Sequence, residues 1–269
     1  MPLFITSLNS GSNGNCYYVG NEREAVLIDA GISCRETETR MQRLGLSLQT
    51  VKAIFVSHEH SDHISGIPVL AKKYQLPVFI TPRTLQKARL PERGFPVRPL
   101  RGYEPVSIGD LQVTAFPKWH DASDPHSFLI TGQDVNVGVF TDIGSPCEHV
   151  IHHFGQCHAA FLEANYDDDL LEYGRYPYVL KHRIRGGKGH LSNQQALDLF
   201  KTHKPQFMSH VLLAHLSKNN NSPQLTEDLF TPHLNGTKLV IASRFRETPV
   251  YQIDANRTVA IDQLSDRQN

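Results

Sequence analysis

The sequence lacks any excess of charge of one sign, because Lys plus Arg and Asp plus Glu each number 27. Overall charge therefore argues neither for nor against a polyanionic partner, and only local clusters can do so. No apolar run approaches the length of a membrane span, and the N-terminus has no charged region followed by an apolar core. We therefore expect neither a membrane segment nor a signal peptide.

Cysteine is also scarce, with four residues and no C-x-x-C pair. Such cysteines are typical of reduced, mostly buried thiols, which predicts a cytoplasmic protein. The chain has no Pro/Gly/Ser-rich linker, no low-complexity segment and no short repeat, and its 39% of hydrophobic residues suffice for a sizeable core. We expect a single domain over residues 1–269 with a polar, frayed tail after Asp262, and no obligate protein partner is evident.

Short runs of β-branched and aromatic residues, bounded by turns, predict strands along the whole chain. These runs are 3–5, 16–19, 25–28, 53–56, 78–80, 111–116, 127–130, 135–140, 159–162, 211–213, 239–241 and 250–252. Helix signals lie between them: a helix is expected at about 66–74, and capping patterns predict helix starts at Ser33, Ser145, Ser192 and Ser222. Strands with intervening helices in both halves predict an α/β sandwich.

The densest cluster of metal-binding side chains lies directly after the apolar run 53–56, in segment 57–63, which reads SHEHSDH. Imidazole and carboxylate are natural ligands of zinc and of harder divalent ions such as manganese. A polar surface loop is the alternative interpretation, but such a loop rarely repeats His at alternate positions. The pattern therefore predicts a metal site at the rim of a sheet, where this strand ends.

A catalytic metal site needs further ligands, and three candidates each follow a predicted strand: His120, Asp142 and His215. Each signal is weak by itself. A single His after a strand is more often a surface residue, and an Asp at a strand end is often only a turn or N-cap residue. Other histidines compete for the role, although His152 and His153 fall in a predicted helix and are compatible with ordinary surface positions.

The order of these residues resembles the metallo-β-lactamase superfamily over nearly the whole chain. Asp29 in an apolar-Asp-Ala-Gly turn precedes His-x-His-x-Asp-His, and a lone His, a lone Asp and a final His follow. The resemblance implies a four-layer αβ/βα sandwich with two divalent metal ions along one edge between the sheets, supported by Asp29 from outside the ligand set. The implied ligands are His58, His60 and His120 for one ion, Asp62, His63 and His215 for the other, and Asp142 as the bridge.

Further motifs resemble one bacterial group in that superfamily, the WalJ (YycJ) group, described as single-domain DNA exonucleases. These motifs are SGSNGN at 10–15, HSDHI at 60–64, HDASDP at 120–125, LEAN at 162–165, RYP at 175–177 and GHLSN at 189–193. One departure is Tyr166, where the group is expected to have His after Glu-x-Asn. A phenol can donate a hydrogen bond, but it does not become cationic near neutral pH.

The surroundings of the predicted site favour a phosphate-containing substrate. Segment 181–190 (KHRIRGGKGH) is basic and glycine-rich and leads into the predicted helix at Ser192, whose N-terminal N–H groups suit an anion. A solvated basic loop is the alternative, and the turn 10–15 is either a nucleotide contact or a tight connection. The expected substrate contacts are His190, which resembles a phosphate-contacting His of the superfamily's nucleases, and Asn165, Arg183, Arg185, Lys188, Ser192 and Asn193.

We predict in-line attack on phosphorus by a hydroxide bridging two metal ions, with Asp62 or Asp142 orienting it and accepting its proton and His190 binding the phosphate. The leading hypothesis is a metal-dependent phosphodiesterase, a 5′-exonuclease on single-stranded DNA that uses Zn²⁺ or Mn²⁺. The alternatives are a cyclic phosphodiesterase or glyoxalase-II-like thioesterase on the same scaffold, and a non-catalytic, metal-containing nucleic-acid-binding protein. Candidate base-stacking residues are Tyr17, Tyr18, Trp119 and Tyr166, each equally compatible with the core.

Overall fold

The computed structural model describes residues 2–91 and 94–255, and the predicted polar tail lies outside this range. The strands are β1 (Leu3–Asn9), β2 (Cys16–Gly20), β3 (Ala25–Ile28), β4 (Val51–Phe55), β5 (Val78–Ile80), β6 (Val97–Pro99), β7 (Val106–Ile108), β8 (Leu111–Pro117), β9 (His126–Gly132), β10 (Val135–Phe140), β11 (Ala159–Glu163), β12 (His210–Ala214), β13 (Lys238–Ile241) and β14 (Tyr251–Ile253). They form two seven-stranded sheets, ordered β14-β1-β2-β3-β4-β5-β6 and β13-β12-β11-β10-β9-β8-β7.

Helices connect the strands and cover the outer faces of both sheets. They are α1 (Cys34–Arg43), α2 (Ser61–Ile64), α3 (Ile67–Tyr74), α4 (Pro82–Ala88), α5 (Glu148–Phe154), α6 (Asp168–Tyr173), α7 (Tyr178–Arg185), α8 (Asn193–His203) and α9 (Pro223–Phe230), followed by a 3₁₀ turn at Thr231–His233. Within the described residues, none of these helices is long and apolar enough to cross a lipid bilayer.

Apolar side chains form three buried clusters, and these define the layers. The first joins the inner faces of the two sheets, where the rings of Phe55 and Phe128 lie 6.0 Å apart. The second packs the first sheet against α1 and α3 through residues such as Met41. The third packs the second sheet against α5 and α8 through residues such as Phe200. The order is therefore helix, sheet, sheet, helix, which confirms the four-layer αβ/βα prediction.

Strand direction sets where functional side chains can gather. Strands β3 to β6 run parallel to one another in the first sheet, and β10 to β13 run parallel to one another in the second. The carboxyl ends of parallel strands meet at one edge of a sheet, where α/β folds place their ligands. At this edge Gly31 allows the turn after β3 to pack on α2, since a Cβ there would lie 1.7 Å from the Asp62 carbonyl oxygen.

The structure corrects three local predictions. The helix expected to start at Ser145 starts at Glu148 with Cys147 as its N-cap residue, because Gly144 donates a hydrogen bond to the Trp119 carbonyl and packs against the chain at 187–188. The basic segment 181–190 is helical in its first half, since its glycines begin only at residue 186, where α7 ends. His153 is buried rather than exposed, with its ring 4.0 Å from that of Phe116.

Candidate metal centre

Four potential ligands belong to the connection between β4 and α2. His58 and His63 are fully buried, whereas His60 and Asp62 are partly exposed at the rim. The chain leaves β4 in extended conformation, and His60 holds the N-cap position of α2, so that Asp62 and His63 turn back toward His58. His58 and His60 alternate in the extended segment before α2, and His63 lies in the first turn of α2. The imidazole rings of this short segment are therefore in contact.

Three further side chains come from the second sheet. His120 follows β8, Asp142 follows β10 and His215 follows β12, each within three residues of its strand end. Asp142 and His215 have left-handed backbone conformations, with φ of 54° and 58°, and Asp29 after β3 has φ of 61°. Such values are uncommon for residues other than glycine. The left-handed turn at each strand end directs these side chains into the space between the two sheets.

All seven residues predicted as metal ligands lie together. Their ligand atoms fall into groups whose members are within 4.8 Å of one another: His58, His60 and His120; Asp62, His63 and His215; and His58, His63 and Asp142. His58 Nε2 lies 3.0 Å from His60 Nδ1, and His63 Nε2 lies 3.2 Å from Asp142 Oδ2. The first two groups match the two predicted ligand sets, and the third places Asp142 between them.

The donor set fits divalent metal ions. Among the described residues, Asp142 Oδ2 and His215 Nε2 are buried polar atoms without a hydrogen-bond partner, which is costly unless an ion or water satisfies them. The Nδ1 atoms of His63, His120 and His215 each donate to oxygen, on Asp29, Gly189 and Glu163 respectively. This directs each Nε2 toward the other donor atoms of the cluster, the arrangement typical of histidines that bind metal.

Burial and charge tune the protonation of these groups. Burial lowers the pKa of His58 well below its usual value and that of His120 to about 4, so both are neutral, as ligands must be. Burial would raise the pKa of Asp62, but His63 and His215 lower it to about 2. Burial would lower the pKa of His63, but Asp142, Asp29 and Asp62 raise it to about 10. The cluster thus contains excess negative charge, which favours cations.

Asp29 supports the site from beneath, as the resemblance implied. Its Oδ1 accepts a hydrogen bond from Ser57 N at 2.8 Å, and its Oδ2 accepts from Ser57 Oγ and His63 Nδ1, both at 2.7 Å. The carboxylate therefore fixes both the end of β4 and the ring of His63. On the other side, Asn15 from the turn 10–15 donates to Asp62 Oδ2 at 3.2 Å. That turn therefore reaches the metal edge, whereas a nucleotide contact by it stays a prediction.

Glu163 is a functional residue that the sequence analysis did not single out. It is fully buried at the end of β11, and its Oε1 accepts hydrogen bonds from His190 Nδ1 at 2.8 Å and His215 Nδ1 at 3.0 Å. Burial would raise its pKa, but His190 and His215 lower it to about 2, so the carboxylate is ionised. The sequence signal that could have identified Glu163 is an acidic residue at the end of a buried strand, inside the LEAN motif.

Among the predicted substrate contacts, His190 is the best placed. Its Nδ1 is held by Glu163, so its Nε2 is available, and a fifth of the side chain is exposed. Lys188 is also exposed nearby. Arg183 contacts Asp121 at 2.5 Å, and Arg185 contacts Glu172. The charges of both arginines are therefore partly neutralised at the surface of α7. Either arginine can bind an anion only if the anion replaces its carboxylate partner.

The other predicted contacts hold the fold around His190. Ser192 caps α8 in a complete capping box with Gln195. Asn193 is buried and pairs with Asn221, whereas Asn165 donates to the His215 carbonyl at 2.7 Å. These three side chains have protein partners in the structure, and their role as substrate contacts stays a prediction. Of the four candidate stacking residues Trp119 is 57% exposed, while Tyr17, Tyr18 and Tyr166 are buried in the core.

The fold and the donor set define a metal-dependent hydrolase with the metallo-β-lactamase fold. A model of the beta-lactamase superfamily domain matches residues 24–215, so the chain belongs to that superfamily. It is 33% identical to exodeoxyribonuclease YycJ of Bacillus anthracis over 228 residues, which cover 84% of this chain and 86% of that protein. Exodeoxyribonuclease WalJ of Streptococcus pneumoniae is 28% identical over 89% of this chain and 91% of its own.

Solved structures agree with this assignment at the level of the fold. The metallo-beta-lactamase fold protein YhfI from Bacillus subtilis aligns with a TM-score of 0.73 at 17% identity and covers 94% of this chain and 100% of its own. The resemblance to the superfamily and to the WalJ (YycJ) group is confirmed. The assignment of residues 1–269 to one domain stays a prediction.

Proposed function

We propose that this protein is an exonuclease that degrades single-stranded DNA from its 5′ end. The observation that carries the proposal is the complete set of seven clustered donor residues in a chain that aligns over most of its length with exodeoxyribonucleases. The exposed face of His190 beside this cluster supports a phosphate-containing substrate. An open edge with partly exposed His60 and Asp62 suits a single strand better than a small buried ester.

We propose two metal ions, zinc or manganese, held by the two ligand sets with Asp142 between them. The imidazole-rich donor set favours zinc in affinity, and availability decides between the ions in the cell. When bound, the ions supply a hydroxide near neutral pH and neutralise charge on the phosphoryl oxygens. The four cysteines are all free in the structure, and we propose a reducing, cytoplasmic location on that ground.

The protein's own groups have separate roles in this proposal. His190 holds the scissile phosphate through Nε2, because its Nδ1 is occupied by Glu163. Asp62, whose carboxylate is one-fifth exposed, or Asp142 orients the attacking oxygen and accepts its proton. Lys188 adds positive charge at the surface where the strand enters. Geometry that places both carboxylates within reach of His63 and His215 supports this division.

A direct test compares wild type with His60→Ala on a 5′-labelled single-stranded DNA oligonucleotide, with added Mn²⁺ or Zn²⁺ and with chelator. We expect His60→Ala to lose metal and turnover together, because His60 is one of three converging imidazoles. The exposed His152→Ala is the matched control and should behave as wild type. A well-folded His60→Ala protein with full activity would contradict the proposed metal-dependent mechanism. Hydrolysis of a thioester but not of DNA would shift it to the thioesterase alternative.

A further inference from the structure

A second surface feature lies beside the metal centre and has no role in the site described above. It is a groove of about 900 Å³ between α9, β13 and the loop 243–249. Its inner end is formed by Leu216 and Ser217, which directly follow the ligand His215, and by Ser10, whose Oγ accepts a hydrogen bond from His215 N at 2.7 Å. The groove therefore begins at the second ligand set and leads away from it.

The loop 243–249 is held firmly although it is irregular. The buried Arg40 donates to the Phe245 carbonyl at 3.3 Å, and Asn13 donates to the Arg244 carbonyl at 2.9 Å. Farther along, Thr248 N donates to a carbonyl of β1 at 3.0 Å. Backbone groups on both sides of Phe245 are thus bound to the body of the protein. The loop resembles a fixed platform rather than a free connection, so little conformational entropy is lost when a ligand binds there.

The side chains at the tip of this loop project into solvent. Phe245 is 74% exposed, and Arg246 beside it is exposed as well. Arg246 and Lys218 both line the groove, and neither forms an ion pair with the described residues. A large aromatic ring held outward between Arg244 and Arg246 on a fixed loop is available to stack on a planar ligand.

The charge of the groove favours a polyanion. Its basic residues are Lys218, Arg244 and Arg246. Its acidic residues are Glu227 and Glu247, and Glu247 is paired with Arg43 outside the groove at 2.8 Å. The unneutralised charge is therefore positive. Aromatic rings that stack on bases, next to cationic side chains that follow the phosphates, are the usual means of binding single strands without sequence preference.

We propose that Phe245 and the groove behind it bind the single-stranded polynucleotide several nucleotides away from the scissile phosphate. Phe245 stacks on a base, while Arg246 and Lys218 contact phosphates as the strand runs from the groove to the metal edge. The proposal rests on the nuclease function proposed above and extends it, because it assigns a second contact region that only a substrate longer than a few nucleotides can reach. Short substrates occupy the metal edge alone.

The test measures KM and kcat on single-stranded oligothymidylates of 3 and 12 nucleotides for wild type and for Phe245→Ala/Arg246→Gln. We expect the double variant to raise KM for the 12-mer about tenfold, with a much smaller change for the 3-mer. The slope of log affinity against log salt for the 12-mer should fall by about 0.7, the value for one lost phosphate contact on a single strand. Arg98→Gln, on the edge strand β6 at the far end of the first sheet, is the matched control.

The outcomes separate the two proposals. A double variant that degrades both lengths with wild-type KM and salt dependence would overturn the strand-binding role of Phe245 and leave the nuclease function intact. An equal loss on both lengths would also overturn it, since the contact would then lie at the metal edge. If wild-type protein hydrolyses bis(p-nitrophenyl) phosphate but binds neither oligonucleotide, the nucleic-acid substrate itself is wrong, and the strand-binding role is wrong with it.

Discussion

At the level of single residues, Glu163 controls two histidines through one carboxylate oxygen. The same Oε1 accepts from Nδ1 of His190, the proposed phosphate contact, and from Nδ1 of His215, a proposed ligand. The orientations of the His190 and His215 rings therefore both depend on the charge of this one oxygen atom. The sequence did not disclose this arrangement, because residues 163, 190 and 215 meet only after β11 and β12 pair and α8 docks on them. By contrast, the ligands in 57–63 were readable because they are local.

We predict that Glu163→Gln lowers metal affinity by about 10- to 100-fold, the usual effect of removing a carboxylate that orients a ligand histidine. The amide keeps the shape of the side chain but removes the negative charge that both rings require. Metal content after dialysis against graded chelator measures the effect, and turnover should fall with it. The exposed Glu104→Gln serves as control. Unchanged metal affinity in Glu163→Gln would show that His215 needs no charged partner.

His153 predicts a pH dependence of stability that is independent of the metal centre. Burial lowers its pKa to about 4, with His152 and His149 adding to the effect, and its ring stacks on Phe116. The folded state therefore binds a proton more weakly than the unfolded state. Its contribution is fully present above the ordinary His pKa of about 6.5 and is lost as pH falls from there toward 4.

Replacing this ring tests the sign of that contribution. We expect His153→Phe to keep the stack on Phe116 and to remove this pH-dependent loss of stability. The free energy of unfolding of the variant should therefore gain about 2 kcal/mol relative to wild type between pH 7 and pH 5. Urea unfolding at both pH values measures the difference. If the two proteins lose stability in parallel across this range, His153 takes up its proton as easily folded as unfolded.

At the level of elements, the sequence predicted the strands well and the surface helices less well. The predicted strands 78–80 and 135–140 coincide with β5 and β10, because a short apolar run between turn residues usually forms a buried strand. The sequence favours a loop where α7 forms, because all side chains of α7 are at least partly exposed and the apolar periodicity that marks a helix is missing. Only Pro177 before it and Gly186 after it carry a signal.

Helix α8 allows a prediction at this scale, because its capping box adjoins His190. We expect Ser192→Ala to lower the free energy of unfolding by about 1 kcal/mol and also to reduce turnover, since the end of α8 positions His190. Ser33→Ala, which removes the N-cap of α1 in the opposite outer layer, should cost similar stability without that loss. Denaturant unfolding and rates on one oligonucleotide provide the comparison. Equal effects of both variants on turnover would contradict the positioning role.

At the level of the whole molecule, the proposed ligands join the two sheets. His58, His60, Asp62 and His63 belong to the first sheet, and His120, Asp142 and His215 belong to the second. Metal ions held between them would connect the two halves of the sandwich. From the sequence, only the family resemblance predicted that the ligands come from both sheets, because no local pattern indicates which strand ends lie at the same edge. The parallel order of β10 to β12 supplies the missing information.

Metal removal should therefore destabilise the entire fold rather than one loop. At free metal concentrations about 1,000 times Kd, binding adds about 4 kcal/mol, or roughly 10 °C in Tm. We expect chelator to lower the Tm of wild type by this order and to lower the Tm of His60→Ala less, because the variant lacks a ligand of one of the two sets. Calorimetry with and without chelator decides the matter. A wild-type Tm that is insensitive to chelator would mean that the sheets are joined by the apolar core alone.

The left-handed backbone at Asp29, Asp142 and His215 has an evolutionary consequence. Each of these residues costs the fold up to about 1 kcal/mol in that conformation relative to glycine. We infer that the contacts of these side chains at the metal centre, rather than the backbone conformation, require Asp and His there. In descendants that have stopped using the chemistry but still need the scaffold, these three positions should be among the first to drift toward Gly or Asn. Such substitutions would identify inactive relatives from their genomes alone.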